Sequence, residues 1–414
     1  MKPSHIDWCP MIPDHWEEKR IKDIAFLQSG NSITAMDFVE DGKFPVYGGN
    51  GLRGYTNTYT NEGDYVLIGR QGALCGNINY AHGKFYASEH AVVVYPKKEE
   101  ITLWLGETLR TANLNRLSMT AAQPGLAVST LNLQFIPFPP KDERIRIAKY
   151  LDKKLSEIDH QVSLLTSKRD AYLRLKKSII NHAVTHGLDP NVKMKDSGIE
   201  WIGEVPEHWR RMRLKDIAYL YSGLTGKSGD DFRCDNTKIT KPYVPFTSIL
   251  NNFKINSTDF PRVIMSDNET QNQVIVNDLL FLMSSEDYDS IAKSAVVNEN
   301  HGEVYLNSFC RGLRFTSKDI FANFVNYQIQ ATNYRDALRF EARGFTRINI
   351  KIEKISSMFV CLPPLPEQRA IATYLDDKCA KIDTIVSNLG KQISRYGDLK
   401  RSLIDEVITG KRAV

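Results

Sequence analysis

Arginine, asparagine and glutamine recur in a few glycine-bearing segments of the chain, and these side chains are suited to nucleic acid. Residues 344–349 (GFTRIN) offer Arg347 and Asn349, whose side chains match the edges of guanine and adenine. The matching segment nearer the N-terminus is residues 123–129 (QPGLAVS), and residues 70–72 (RQG) place another Arg and Gln on a turn. The chemistry these residues could perform is contact with phosphates and base edges.

A stripe of basic side chains leads into the segment at 344–349. Arg335, Arg339, Arg343, Arg347 and Lys351 stand every four residues, and the first three could share one helical face before Gly344 breaks it. A solvated helix face is the alternative interpretation of such a stripe. The residues predicted to contact DNA are Arg70, Gln71, Asn79, Lys84, Gln123, Ser129, Arg339, Arg343, Arg347 and Asn349.

Motifs for catalysis and for metal binding are missing from the sequence. Residues 223–228 (GLTGKS) approach a phosphate-binding loop, but Tyr221 stands where the first glycine would be needed. No dinucleotide-binding glycine fingerprint and no tetrapeptide for adenine methylation occurs. His182 and His186 have no third ligand nearby in sequence, so we interpret them as solvated surface side chains. The sequence predicts a non-catalytic chain without a metal site.

Composition places the chain among globular proteins of more than one domain. It has 414 residues, 42% of them hydrophobic and 25% charged, with a formal net charge of +5. No apolar run approaches the length of a membrane span, and no signal peptide precedes the first elements. We therefore expect a cytoplasmic protein. Its six cysteines are too sparse for a disulfide framework and are expected to be reduced and mostly buried.

An internal repeat organises the elements that must position these loops. Residues 1–30 align without a gap onto residues 194–223, so that PDHW at 13–16 meets PEHW at 206–209. A second pair of segments matches at a different offset, with YLD at 150–152 meeting YLD at 374–376. Residues 31–135 and 224–359 share little between these matches. The layout is a constant segment, a variable domain and a constant helix, occurring twice.

Each constant helix carries a heptad repeat of apolar residues and begins just after a Pro-Pro pair. Because so long an apolar stripe needs a partner, the two helices are expected to pack on each other as an antiparallel coiled coil. An ordinary core helix is the alternative. The residues predicted to pack between the helices are Leu151, Ile158, Leu165, Tyr172, Ile179, Leu375, Ile382, Leu389, Tyr396 and Leu403.

The two variable regions are predicted to be mixed α/β domains of an α+β fold. Strands are expected at 65–68, 91–95 and 135–138 in the first and at 274–276 and 279–282 in the second, with helices at 101–114 and 319–340. The predicted division is a first domain at 1–140, a first helix at 141–190, a second domain at 191–364 and a second helix at 365–414. Residues 141–186 carry 11 Lys and Arg against 6 Asp and Glu, whereas both domains are near neutral.

These features resemble the DNA-specificity subunit of type I restriction-modification enzymes over essentially the whole chain. The resemblance lies in residues 201–209 (WIGEVPEHW), in residues 362–371 (LPPLPEQRAI) leading to YLD, and in GRQG at 69–72 followed by GNINY at 76–80. The first copy departs from this pattern at 141–144 (KDER), where the second has LPEQ.

The resemblance implies two target-recognition domains, each recognising one half of an asymmetric, bipartite sequence in double-stranded DNA. It also implies two methyltransferase partner subunits and, through them, two restriction subunits. S-adenosylmethionine, ATP and magnesium are then expected in those partners, and no cofactor is expected in this chain. Two other functions stay open from the residues alone: a coiled-coil adaptor that does not recognise DNA, and a self-sufficient nuclease.

Overall fold

The computed structural model forms two compact units, each combining one α/β domain with part of both long helices. Unit 1 comprises Met1–Ser167 and Leu389–Val414, and unit 2 comprises Lys168–Asn388. The structure describes residues 1–72, 74–97, 101–118, 124–232, 239–256, 259–266 and 269–414.

The first domain contains twelve described strands and three short helices, followed by the first long helix. The strands are β1 (Lys2–Pro3), β2 (Met11–Ile12), β3 (Glu17–Arg20), β4 (Ala25–Ser29), β5 (Phe44–Gly48), β6 (Gly51–Thr56), β7 (Asn61–Glu62), β8 (Tyr65–Gly69), β9 (Ile78–Ala81), β10 (Lys84–Ala87), β11 (Ala91–Pro96) and β12 (Phe135–Phe138). The helices are α1 (Ile21–Ile24), α2 (Thr102–Thr111), α3 (Val128–Asn132) and the long α4 (Lys141–His186).

The second domain contains thirteen described strands and five short helices, followed by the second long helix. The strands are β13 (Met194–Asp196), β14 (Glu204–Pro206), β15 (Arg210–Arg213), β16 (Ala218–Ser222), β17 (Thr240–Val244), β18 (Arg262–Ile264), β19 (Leu279–Leu282), β20 (Ser284–Ser285), β21 (Ser294–Val296), β22 (Tyr305–Leu306), β23 (Cys310–Phe315), β24 (Ile348–Asn349) and β25 (Phe359–Leu362). The helices are α5 (Leu214–Ile217), α6 (Phe246–Asn251), α7 (Ala322–Gln330), α8 (Thr332–Glu341), α9 (Ile352–Ser356) and the long α10 (Leu365–Ile408).

The two domains share one topology although their variable regions share little sequence. The main sheet has the order β4-β11-β8-β9 in the first domain and β16-β23-β19-β21 in the second. A smaller sheet contains one parallel pair in each, β5 with β10 and β17 with β22. The strand that enters each long helix pairs with the constant segment, β12 with β3 and β25 with β15. The same backbone therefore supports two different sets of loops.

Apolar residues of the central strands form the cores. β8 and β11 are runs of β-branched and other apolar residues, and Val66 to Ile68 and Val92 to Val94 are all buried, as expected for strands covered on both faces. In the second domain all four residues of β19 are buried. The five cysteines that the structure describes are free and buried, as predicted, and Cys234 lies outside the described residues.

A repeated tryptophan and histidine join each domain to the start of its long helix. Trp16 and Trp209 are each 1% exposed. Nε2 of His15 lies 2.9 Å from the Glu143 carboxylate, and Nε2 of His208 lies 2.7 Å from that of Glu367. Glu143 belongs to the segment in which the first copy departs from the second, yet its carboxylate makes the same contact.

Both long helices begin where the sequence predicts but end before the predicted bounds of 190 and 414, at His186 and Ile408. Pro140 precedes α4, and its carbonyl accepts hydrogen bonds from the N–H groups of Glu143 and Arg144, while acidic side chains occupy the first turn. Glycines with positive φ follow the two helices, Gly187 at +76° and Gly410 at +72°. Only glycine adopts that conformation readily, so each helix stops there.

Antiparallel contact between the two long helices occurs inside each unit. In unit 1, Lys400 Nζ donates to the Asp159 carboxylate at 2.7 Å, and in unit 2, Lys176 Nζ donates to the Asp383 carboxylate at 2.6 Å. Apolar residues flank both pairs: Leu151 and Ile158 cluster with Leu403 and Val407 in unit 1, and Val184 clusters with Leu375 in unit 2. All ten heptad residues are buried or half-buried.

Two sequence-based assignments in the second domain are wrong. Residues 274–276 are not a strand: Gln273 forms only an isolated bridge to Tyr305, and the chain then turns at Asn277, whose φ is +72°. The helix expected at 319–340 is divided into α7 and α8 because Ala331 is extended. The Asn181 side chain accepts the N–H of Thr332 at 2.8 Å and stabilises this break.

The helix expected at 101–114 is shorter than predicted. It ends at Thr111, because Asn113 adopts a left-handed conformation. The other predicted strands are present at the expected positions. Among the described residues, no helix combines the length and apolar character needed to cross a bilayer.

Candidate nucleic-acid interface

In unit 1, two of the predicted contact segments meet at one end of the main sheet. The turn at 70–72 follows directly after β8, and Leu126 N–H donates to Arg70 O at 2.9 Å while Gly72 N–H donates to Pro124 O at 2.9 Å. Gln71 and Gly125 form an antiparallel bridge. The structure therefore brings the RQG turn beside the segment that contains Gly125, as a binding site formed by both would require.

A glycine turn lies against the same end of the sheet and covers Asn79. Gly69 packs so closely on residues 48–51 that a Cβ there would lie 2.1 Å from Gly49 O. Asn79 is half-buried beneath Gly51, and its buried Nδ2 has no hydrogen-bond partner among the described residues. An unsatisfied buried amide donor is costly, and the burial of this atom leaves the predicted contact of Asn79 with DNA a prediction.

The remaining predicted residues of the first domain are not all gathered at this end. Gln71 is exposed, Arg70 is half-buried, and Ser129 is exposed on α3. Lys84 lies at the opposite end of the strands, where its Nζ is 3.8 Å from Glu62 and 4.8 Å from the Tyr59 ring centroid. Gln123 lies outside the described residues. Lys84 is thus separated from Arg70 and Gln71.

Unit 2 repeats this arrangement with different side chains. After β19, strand β20 pairs antiparallel with β24, in the place of the bridge between Gln71 and Gly125. Arg343 and Asn349 exchange two backbone hydrogen bonds of 3.0 and 2.8 Å, which close the loop between them. The sequence comparison pairs residues 123–129 with residues 344–349. The described parts of these two loops occupy equivalent positions in the two domains.

The first two arginines of the stripe, Arg335 and Arg339, are held by contacts within the domain. Arg335 is 6% exposed and donates to the carbonyls of Asp289 and Ile291. Burial, followed by the charge of Arg339, lowers the pKa of its guanidinium to about 10. Arg339 pairs with Asp289 and Asp336 at 2.7 and 2.9 Å. Both side chains thus hold the loop that carries Asp289.

The last two arginines of the stripe lie beyond the helix. Helix α8 ends at Glu341, so the expectation that Arg343 shares its face is wrong. Arg343 donates to the carbonyls of Phe340 and Ala342. The Arg347 guanidinium lies 4.9 Å from the Phe309 ring centroid, is exposed, and has no other partner among the described residues. Arg347 therefore has its donors available to a ligand.

A cavity of about 370 Å³ adjoins these loops. Asn349 and Lys351 line one side of it, and Ser308, Phe309 and Arg311 line the other. Sequence reasoning missed the last three residues. Phe309 is 53% exposed, whereas a phenylalanine in a sequence more often indicates a core residue.

His182 and His186 lie one turn apart near the end of α4. Their rings stack with centroids 4.8 Å apart, and burial, followed by the charge of His182, lowers the pKa of His186. His186 is half-buried, so the interpretation of both as solvated holds for His182 alone. Within the part of the chain that the structure describes, no three His, Cys, Asp or Glu residues are grouped to hold an ion.

Comparison with known proteins identifies relatives of both repeats. The model of the type I restriction modification DNA specificity domain family matches residues 13–164 and 206–395. The type I restriction enzyme EcoprrI specificity subunit of Escherichia coli is 40% identical over 141 residues, which are 33% of this chain and 35% of that relative. The MjaVIII specificity subunit of Methanocaldococcus jannaschii is 21% identical over 423 residues, covering 97% of this chain and 93% of the relative.

The fold is also found among solved structures. A chain from a structural study of complex assembly and conformational transition of the type I R-M system aligns with a TM-score of 0.70 at 14% sequence identity. The alignment covers 97% of this chain and all of that one. At this identity the comparison establishes a common fold.

Proposed function

Because this chain belongs to the family of type I restriction-modification DNA specificity subunits, we propose that it recognises a bipartite, asymmetric DNA sequence, one half through each domain. Within such a system the chain is the specificity subunit and not a catalytic one. The observation that carries the proposal is the equivalent pair of loops in each domain: one scaffold presents Arg70 and Gln71 in unit 1 and Arg347 and Asn349 in unit 2. Two unlike surfaces on like scaffolds suit two unlike half-sites.

The proposed partners are two copies of a methyltransferase, and two restriction subunits that join through them. Each unit has a cavity between its domain and the helix pair, of about 890 Å³ in unit 1 and about 730 Å³ in unit 2. Like surfaces bind like partners, which supports the stoichiometry. The helix residues lining both cavities are related by the repeat: Asp152 and Asp376, Leu155 and Cys379, Asp159 and Asp383, Lys400 and Lys176, and Ile404 and Ile180.

S-adenosylmethionine, ATP and magnesium are proposed to act in those partner subunits. The methyltransferase would use S-adenosylmethionine on an adenine that is turned out of the duplex. This chain would contribute the choice of sequence and the placement of its partners. We also propose that the assembly works in the cytoplasm, where its DNA is.

The function is tested by co-expressing the chain with the methyltransferase encoded beside it and mapping methylated adenines in the DNA of the host. We expect methylation at one bipartite sequence, and no methylation when this chain is omitted. Methylation that is unchanged without the chain would contradict the proposal. Gel shifts at several salt concentrations separate it from the adaptor, because an adaptor would show no sequence preference at any salt.

Replacing Arg347 with alanine is expected to relax recognition of the half-site bound by unit 2 alone. A bidentate contact between arginine and guanine contributes about 1–3 kcal/mol of discrimination. Arg347→Lys keeps the charge but loses the planar fork, so we expect it to keep affinity better than discrimination. Competition binding with single-base variants of both half-sites measures this, and the unit 1 half-site is the internal control. Unchanged discrimination in Arg347→Ala would reject the assignment.

The isolated chain is expected to bind DNA weakly. Its first domain carries 12 Lys and Arg against 14 Asp and Glu, and the excess of positive charge lies on the long helices. Because affinity for DNA depends on neutralising phosphates, the partners must supply further positive surface. Titration of labelled DNA with the chain alone and with the complex checks this, and nanomolar specific binding by the chain alone would contradict it.

A further inference from the structure

The ring of Phe345 is fully exposed to solvent at the tip of the loop that carries Arg347. Phe345 has a relative exposure of 104%, the highest of the large apolar side chains among the described residues. No ring or cation contact to it occurs among those residues. Water therefore surrounds a side chain whose transfer out of water is strongly favourable.

The backbone that carries Phe345 is held in place. The two hydrogen bonds between Arg343 and Asn349 close the loop, and the hydroxyl of Tyr288 donates to Gly344 O at 3.2 Å. Gly344 has a φ of +141°, and a Cβ there would lie 2.0 Å from Arg347 O. The ring is thus presented by a tightly closed turn that only glycine permits.

Positive charge on both sides of the ring indicates what covers it. Arg343 and Arg347 are exposed two residues before and two residues after Phe345. Neither pairs with a carboxylate among the described residues. An apolar ring between two cations complements a polyanion that has an apolar interior, which describes the DNA duplex with its stacked bases. A purely apolar protein surface would supply no opposite charge to either guanidinium group.

We propose that Phe345 is a wedge that inserts between adjacent base pairs of the half-site bound by unit 2 and partly unstacks them. The inference rests on the proposed function and adds a mode of binding to it. Inserted apolar side chains kink the duplex and make recognition depend on how easily a base step deforms. Discrimination then extends to a base step that no hydrogen bond contacts.

The wedge acts in one half-site only. The matching segment of the first domain, residues 123–129, has the sequence QPGLAVS and contains no aromatic residue. An aromatic wedge from this loop is therefore available to the half-site bound by unit 2 and not to the other.

The test places 2-aminopurine, whose fluorescence rises when it is unstacked, at successive positions of both half-sites, away from the methylated adenines. The complex of the chain with its methyltransferase is then added. We expect a several-fold fluorescence increase at one step of the unit 2 half-site and none at the corresponding steps of the other. Phe345→Ala should abolish that increase and Phe345→Trp should retain it, while a separate duplex with 2-aminopurine in place of a methylated adenine should give the same fluorescence with all three proteins. Phe26→Ala, which removes another exposed ring from unit 1, is the matched control.

The outcomes separate the wedge from the proposed function. A complex that binds no specific sequence would overturn the function, and the wedge with it. Specific binding with no unstacking, or with unstacking that persists in Phe345→Ala, would overturn the wedge alone. Loss of methyltransferase association in Phe345→Ala with unstacking retained would assign the ring to a protein contact and would also overturn it.

Discussion

Exchanging residues 31–135 for the corresponding segment of another family member is expected to change one half of the recognised DNA sequence completely and leave the other half intact. The segment contains the glycine turn at 48–51, the RQG turn and the loop that pairs with it. It leaves β3 and the last three residues of β12 in place, so most of the pairing at the junction with α4 is preserved. Each unit has its own hydrophobic core, which lets one domain change without disturbing the other.

Mapping methylated adenines measures this exchange directly. The reciprocal exchange of residues 224–359 is the matched control and should change the other half-site only. The length of the unspecified spacer should follow the long helices and stay the same in both exchanges. A change in both half-sites after either exchange would contradict independent recognition by the two domains.

Replacing Trp209 with alanine is expected to destabilise unit 2 by about 3–5 kcal/mol, the usual cost of removing a buried tryptophan. The ring packs edge-on against Phe324 with centroids 5.8 Å apart. Its Nε1 donates to Glu367 Oε1 at 3.0 Å, which joins the domain to the first turn of α10. Denaturant unfolding followed by circular dichroism measures the loss without relying on the fluorescence of the removed residue.

Trp16 provides the matched comparison in unit 1. It is equally buried, but its Nε1 has no hydrogen-bond partner among the described residues. Replacement by phenylalanine keeps a large part of the aromatic side chain but removes the indole N–H. Trp209→Phe should therefore lower the free energy of unfolding by about 1.5–3 kcal/mol, the contribution of a hydrogen bond to a charged acceptor. Trp16→Phe should cost less. Equal losses in the two variants would show that the bond to Glu367 does not stabilise unit 2.

Regular patterns in the sequence predicted the elements that depend on them. The heptad repeats that begin at Leu151 and Leu375 correctly predicted both long helices, because an apolar stripe of this period depends on the helix alone and not on distant contacts. The repeated tryptophans correctly indicated two similar domains. The strand predicted at 274–276 is wrong because a short apolar run occurs in extended segments outside sheets as well as in strands. The turn at Asn277, which the apolar pattern does not show, ends the extended segment before it can pair as a strand.

The features that sequence patterns failed to predict depend on contacts between residues that are far apart in the chain. The break at Ala331 depends on Asn181, which is 151 residues away from the capped Thr332. The arginine spacing predicted a common face, but the partners of Arg335 and Arg339 come from the loop near Asp289. Phe309 carried no sequence signal for exposure. The placement of the DNA-contacting residues stays a prediction.

The two lysine–aspartate pairs of the long helices are related to each other by the internal repeat. Asp159 is the repeat counterpart of Asp383, and Lys176 is that of Lys400, so the contact from Asp159 to Lys400 recurs with its members exchanged between the copies. In a homodimer with twofold symmetry, residue i meets j and residue j meets i in the same way. Each half of the chain therefore supplies the aspartate of one contact and the lysine of the other, as each subunit of a twofold homodimer would.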